Sequence, residues 1–348
     1  MTILAGDIGG TKTLLQIAKN QGHNNVPVVL YEQRYVSAQF SEFDEMLRDF
    51  LVAAHQADIP MPTTGCIGVA GPVLRDKDGN TIAKVTNLPW SLDTNKLSAK
   101  FNLRQLRLIN DFQAVGYGLD ALRDDELIVV QVGEPDIQNL PPCALIGAGT
   151  GLGQGLLVWQ GDTDSGHYEV LGSEGGHADF APGSAEQRGL LQFLIKQKQL
   201  AKQPEHVCAE DVLSGRGLVN VYHYFAAQYP EQVNPLFTQS MLEADAAAMI
   251  SDAALSATDR LAERALNLFV EIYGTQAGNL ALIYMATGGV FIAGGIAPKI
   301  QSRILAGPFL AAFQDKGPMS DMMKKIPVSL VMNPQVGLKG AALVASRL

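Results

Sequence analysis

Glu174 and His177 stand on either side of two glycines in the segment GSEGGHADFAP. With no side chains between them, a carboxylate and an imidazole can point into one small concave space. Two other places offer similar chemistry. Asn110-Asp111 sits where a strand ends and a helix begins, and Glu210-Asp211 sits just ahead of an apolar helix. Each has a plainer explanation. Asn and Asp cap helices, and acidic residues in a first turn favour the helix dipole. A lone histidine is more often a satisfied structural residue than a ligand. Taken as a set, an Asn, an Asp, two Glu and a His would satisfy several sugar hydroxyls at once. One of the carboxylates would also serve as the base for a hydroxyl that attacks phosphorus.

Phosphate chemistry is suggested by two glycine turns, GDIGGTK at the start and GAGTGLG at residues 147–153. Neither is a common nucleotide motif. Lys12-Thr13 lacks the glycine that a P-loop places before its lysine, and TLLQIA after it reads as a strand. The third glycine of a dinucleotide fingerprint would fall on Leu152. What remains is a pair of hairpins whose turns are nearly free of side chains, so that backbone N–H groups can approach a phosphate. A single such turn is most simply a tight hairpin with no ligand. Two turns, each with a threonine (Thr11 and Thr150), shift the balance toward nucleotide. A carboxylate at the mouth of such a turn repels phosphate unless a cation lies between, so Asp7 is expected to place Mg²⁺ through water. Lys12 either adds positive charge or is a solvated surface residue.

The elements that must position these groups follow from the apolar pattern. ILAGD and TLLQIA read as strands around the first turn, followed by the apolar segment VPVVLYEQRYVSA. A helix over Ser41–His55 presents Phe43, Met46, Phe50 and Leu51 on one face. TTGCIGVAG and LRLIN read as short buried strands, and a helix begins near Asp111. CALIGAGTGLGQGLLVWQ then repeats strand, glycine turn, strand. The repetition predicts a duplicated α/β architecture in which each lobe supplies one phosphate-facing turn. The second half adds helices through Leu190–Ile195 and Leu261–Ile272, a buried strand in GGVFIAGG, and an apolar terminal helix. The lobe boundary is placed near Asn110, giving lobes of residues 1–109 plus 335–348 and 110–334, with the last helix returning to the first lobe.

At 348 residues and 47% hydrophobic content, the chain can build two cores and disorder is not expected. The net charge of −9 argues against nucleic acid or an anionic membrane as partner. Cys66, Cys143 and Cys208 lie far apart and form neither a zinc spacing nor a disulfide framework, which suits a reducing cytoplasm. The N-terminal segment does not read as a signal peptide. The uncharged run between Glu271 and Lys299 contains two Gly-Gly pairs and reads as helix end, turn and strand rather than a membrane span.

Six ordered blocks (GDIGGTKT, LINDFQAVGYG, GAGTGLG, GSEGGHADFAP, LSGRGLVNVY and GGVFIAGGI) closely resemble the bacterial-type glucokinases. The resemblance implies the two-lobed hexokinase/actin-like (ribonuclease H-like) α/β fold around a central cleft, and ATP-dependent phosphorylation of glucose at the 6-hydroxyl, the first step of glycolysis. By it, Gly6, Asp7, Gly9, Gly10, Thr11 and Lys12 match the first phosphate segment, Gly149, Thr150 and Gly151 the second, and Gly294, Gly295 and Ile296 the adenosine segment. Asn110, Asp111, Glu174, His177 and Glu210 match the glucose ligands, with Asp111 as catalytic base. ATP and Mg²⁺ are implied. Zinc is not, because the cysteine-rich motif of the related repressor/kinase group is absent. A homodimer is plausible from the family. Another hexose as substrate, a different phosphoryl donor such as polyphosphate, a sugar-sensing repressor and an actin-type scaffold are the alternatives. The negative charge counts against the repressor, and the sugar set counts against the scaffold.

Overall fold

In the computed structural model, all residues are described except 23–25, 78, 137 and 164. Two compact units emerge: residues 1–126, 157–172 and 333–348 form the first, and 127–156 with 173–332 the second. Residues 110–126, 157–172 and 333–334 thus cluster with the first unit, beyond the 1–109 and 335–348 expected from the sequence.

The strands of the first unit are β1 (Thr2–Ile8), β2 (Lys12–Lys19), β3 (Val28–Val36), β4 (Thr64–Val69), β5 (Val73–Arg75), β6 (Thr81–Lys84), β7 (Ser91–Asp93) and β8 (Gln105–Asn110). Ile3, Leu4, Ala5 and Ile8 are all fully buried, a run without alternation. Such a run belongs to a strand covered on both faces. Accordingly β1 is the centre of a five-stranded sheet ordered β3-β2-β1-β4-β8. β1 pairs antiparallel with β2 and parallel with β4, and β4 continues parallel to β8. The helix Phe43–Gln56 buries Phe43, Met46, Leu47 and Phe50. The terminal helix Val336–Ser346, almost wholly buried, packs on β1 and β4. β5, β6 and β7 form a separate small sheet that the hydrophobic pattern did not reveal.

The helix Asp111–Gly118 crosses the terminal helix at very close range. A Cβ on Gly340 would fall within the envelope of the Ala114 carbonyl oxygen, and one on Gly118 would strike the Val336 carbonyl oxygen. Neither backbone can yield without moving its helix. Gly340→Ala is therefore expected to destabilise the first unit by about 1–3 kcal/mol or more, read as a lowered denaturant midpoint. An unchanged midpoint would mean that the two helices separate freely.

The second unit repeats the plan. Its strands are β9 (Leu127–Gln131), β10 (Cys143–Ala148), β11 (Leu152–Gln160), β12 (His167–Ser173), β13 (Gly289–Ala293) and β14 (Val328–Val331), the outer part of the β11–β12 hairpin being counted with the first unit. Their order is β12-β11-β10-β13-β14-β9. The third, second, first, fourth and fifth strands of the repeat lie side by side, as β3-β2-β1-β4-β8 do in the first sheet. The duplicated α/β plan expected from the two hairpins is the one observed. β10, β13 and β14 run parallel, and β9 closes the sheet antiparallel to β14. The core gathers around the 25-residue helix Arg260–Tyr284, with Phe269, Tyr273, Phe309 and Phe313 fully buried. The uncharged run resolves into the end of that helix, β13 and a glycine turn. Among the described residues no helix is long and apolar enough to cross a membrane.

Candidate active site

In the first unit, Asp7 sits near the end of β1, opposite Gly68 of β4, which in turn pairs with Ile109 of β8. One residue after β8 comes Asp111, the first residue of its helix. A Cβ on Gly68 would lie 3.8 Å from the Asp111 Cα. The sheet therefore brings two carboxylates, 104 residues apart in sequence, into one electrostatic neighbourhood. Burial pushes the Asp7 carboxyl up to about 6, the charge of Asp111 pushes the same way, and Lys12 opposes both. The start of the terminal helix lies beside it, for a Cβ on Gly337 would stand 3.5 Å from Asp7 Oδ2.

The first glycine turn is a braced hairpin. Gly9 N–H donates to the Lys12 carbonyl at 3.0 Å, and Ser37 N–H donates to the Thr11 carbonyl at 3.0 Å. Ser37 Oγ donates to the Gly9 carbonyl at 3.0 Å. Thr11 and Lys12 are exposed at the tip. Gly6 lies lower, in the core. A Cβ there would press on Ile67 and Leu15 at 3.2 Å, so sheet packing accounts for that glycine.

Asn110 caps the helix that Asp111 begins. Its Oδ1 accepts from Phe112 N–H at 2.9 Å and Gln113 N–H at 3.3 Å, and its Nδ2 donates to the Gly71 carbonyl at 3.2 Å. The capping explanation is thus realised, and one amide N–H remains to offer a ligand.

The second unit assembles the other candidates. Ala178–Phe180 runs alongside Val207–Ala209, joined by Ala209 N–H to the Ala178 carbonyl and Phe180 N–H to the Val207 carbonyl, each 2.9 Å. That pairing sets the turn Gly175–His177 beside the turn Ala209–Asp211. His177 Nε2 is 3.9 Å from Glu174 Oε2, and both side chains are largely exposed. Packing crowds both glycines between them and dictates the second, where the neighbour is backbone. A Cβ on Gly175 would strike Gln154 Oε1, and one on Gly176 would strike the Leu152 carbonyl oxygen. Glu210 and Asp211 have separated tasks. Burial would raise Asp211, but Lys198 at 2.8 Å, the Cys208 N–H and Arg216 outweigh it and hold the carboxyl below its usual range. Glu210 instead turns to the second glycine turn, accepting Leu152 N–H on Oε2 at 2.9 Å. A Cβ on Gly151 would lie 2.5 Å from that oxygen, so Gly151 makes room for Glu210.

Gly149 has open space where a Cβ would stand, as a phosphate approach requires. Its carbonyl accepts Gly215 N–H at 2.8 Å, which brings the N-terminus of the helix Gly215–Gln228 to the turn. A cavity of about 480 Å³ opens here, lined by Gly149, Thr150, Gly215, Arg216, Asp245, Ser251, Gly295, Ile296 and Lys299 among others. The N-terminus of the helix Ala246–Leu255, capped by Asp245, faces the same space. Two helix N-termini, an Arg and a Lys suit an anionic ligand. The expected adenosine segment Gly294–Ile296 and the second phosphate turn thus meet at one cavity. Arg216, Asp245, Ser251 and Lys299 are not marked as site residues by the sequence. Asp245 ahead of three alanines signals only a helix cap, and nothing local distinguishes the other three.

The glucokinase family model matches residues 4–348. A glucokinase of Nostoc punctiforme is 43% identical, with 99% of both chains covered. One from Synechocystis is 40% identical and covers 100% of this chain and 98% of its own. Among solved structures, a glucokinase from an Antarctic psychrotroph superposes with a TM-score of 0.82 at 32% identity, covering 100% and 99% of the two chains. A ROK family glucokinase from Streptomyces griseus shares the fold, with a TM-score of 0.62 at 18% identity over 100% of both chains. A duplicated actin-like plan, paired glycine turns and matches along the whole chain lead to one conclusion: the chain is a sugar kinase and belongs to the glucokinase family.

Proposed function

We propose that the chain transfers the γ-phosphoryl group of Mg·ATP to the 6-hydroxyl of glucose and so feeds glycolysis. The observation that carries this is Glu210. One of its oxygens holds the second phosphate turn through Leu152 N–H, while its own turn packs against the Glu174–His177 turn. Sugar-reading and phosphate-reading groups are thereby coupled in one unit.

In this reading Glu174, His177, Glu210 and the spare amide N–H of Asn110 bind the sugar hydroxyls. Asp111 accepts the proton of the attacking 6-hydroxyl. Thr11, Thr150 and the backbone of the two turns hold the phosphates and stabilise the charge that develops on them, with Lys12 adding to the field. The cavity at Thr150 and Gly295 receives the nucleoside. In this reading the two compact units act as the two lobes, Asp111 belonging to one and Glu174 to the other.

A divalent cation fits the residues present. Asp7 is a half-buried carboxyl, raised by desolvation and further by a neighbouring carboxylate, and Mg²⁺ is held by one or two carboxylates together with substrate phosphates and water. When bound, the ion would neutralise charge on the transferring phosphoryl group. Asp7 would hold it.

Three buried cysteines far apart in sequence suit a reducing cytoplasm, and a homodimer is the commonest assembly among soluble oligomers. ADP release from Mg·ATP with and without glucose tests the reaction, and initial rates on fructose, mannose and an amino sugar test the substrate. Equal ADP release in both arms would end the kinase reading for glucose. Glu174→Gln is expected to raise the glucose KM about 10–100-fold, the loss typical of a charged hydrogen bond, with the ATP KM little changed. An unchanged glucose KM would remove Glu174 from the sugar site.

A further inference from the structure

The geometry points to Tyr273 as a positioning residue for nucleotide binding, an inference that rests on the reading of the cavity at Thr150 and Gly295 as the ATP site. Tyr273 lies within the helix Arg260–Tyr284 and is fully buried. Burial pushes its phenol far above the usual range, so the hydroxyl stays neutral and can donate and accept at once. It does both. It accepts Ala148 N–H at 3.0 Å and donates to the Ala293 carbonyl at 3.3 Å.

These two backbone groups occupy a special place. β10 and β13 pair in parallel as far as Gly147 and Ala293, and there the chains part. One enters the turn Gly149–Gly151 and the other the turn at Gly294-Gly295. At the point of divergence the ladder can no longer satisfy both groups, and a phenol from the helix behind fills the gap. The far side of the fork is closed by Ile296 N–H, which donates to the Ala148 carbonyl at 3.2 Å. Gly294 adopts φ +85, and a Cβ there would lie 2.5 Å from the Ala148 oxygen. The splay of the two loops is thus set by one hydroxyl and one glycine. The ring itself is clamped edge-on by Phe269 and Phe309, with centroids 6.2 and 5.8 Å away. A fixed ring gives a fixed hydroxyl.

The consequence should be selective. Both loops line the nucleotide cavity, through Gly149 and Thr150 on one side and Gly295 and Ile296 on the other. The turns carrying Glu174 and Glu210 are joined by their own backbone pairing, in which Tyr273 has no part.

Tyr273→Phe keeps the ring and deletes the hydroxyl, leaving two buried backbone groups without their partner. The ATP KM, and the dissociation constant of Mg·ADP measured by calorimetry, are expected to rise about tenfold, while glucose affinity without nucleotide changes less than about threefold. Leu280→Ala serves as the packing control, since it opens the core about two turns further along the same helix but retains the hydroxyl and the rings beside it. It is expected to melt at a lower temperature yet bind Mg·ADP within about twofold of the parent. Unchanged Mg·ADP affinity in Tyr273→Phe would overturn the proposal. So would equal losses for glucose and nucleotide, or equal nucleotide losses in the two variants. Calorimetry needs no turnover, so absence of glucose-dependent ADP release in the parent protein would sink the reaction without touching this result.

Discussion

Asp111→Asn is expected to lower kcat by about 10²–10⁴-fold while leaving glucose binding nearly intact, since a positioned base typically contributes that much. The substitution preserves shape and retains an oxygen that can accept Phe112 N–H, a bond the carboxylate makes at 2.9 Å. The helix start should therefore survive, because its cap belongs to Asn110 and Gln113 rather than to Asp111. What is lost is the capacity to take a proton. Rapid-quench turnover alongside calorimetric glucose binding separates the two effects. A kcat within a few-fold of the parent would show that the 6-hydroxyl loses its proton elsewhere.

The chemistry of this site was legible in the sequence further than its geometry. The buried run Ile3–Ile8 with a glycine turn behind it announces a central strand and hairpin, and its repetition at Cys143–Gln160 announces a second. Both stand as expected because the signal is local. The edge strand β12 was missed because half-exposed residues without alternation carry no period. β5, β6 and β7 span only three or four residues each, too short to show one. The proximity of Asp7 to Asp111 was hidden for another reason. It depends on two parallel registers, Asp7 to Gly68 and Gly68 to Ile109, and non-local pairing leaves no local trace. The glycines teach the same lesson from the other side. Gly175 and Gly176 leave Glu174 and His177 free to converge, and they do so by packing tightly, the atoms that a Cβ would meet there belonging to Leu152 and Gln154 of β11. Gly151 is small for Glu210, whereas Gly149 faces open space. A glycine-rich motif mixes positions demanded by the ligand with positions demanded by packing, and the sequence cannot sort them.

Asp7→Asn is expected to abolish most activity and, in the same molecule, to make the ligand-free protein more stable at about pH 7. In the parent, folding raises the Asp7 carboxyl from 3.8 to about 6, through burial first and the charge of Asp111 second. Between those values the folded state binds more protons than the unfolded one, so stability falls as pH rises through the window and stays lower above it. A rise of that size corresponds to a penalty on the order of 2–3 kcal/mol at neutral pH. The start of the terminal helix beside Asp7 offsets part of any such penalty through its dipole. Asparagine carries no charge to desolvate, and its variant should lose this pH dependence between about 4 and 6. Such a penalty is tolerable if a divalent cation relieves it during turnover. Mg·ADP should then raise the melting temperature of the parent far more than that of the variant. The parent's activity should fall as pH drops below about 6 and Asp7 protonates, with the acid limb moving lower as Mg²⁺ is increased. Thermal melts from acid to mildly alkaline pH, with and without Mg·ADP, would decide the matter. A variant no more stable than the parent at neutral pH, and equally stabilised by Mg·ADP, would mean that Asp7 bears neither the electrostatic strain nor the metal.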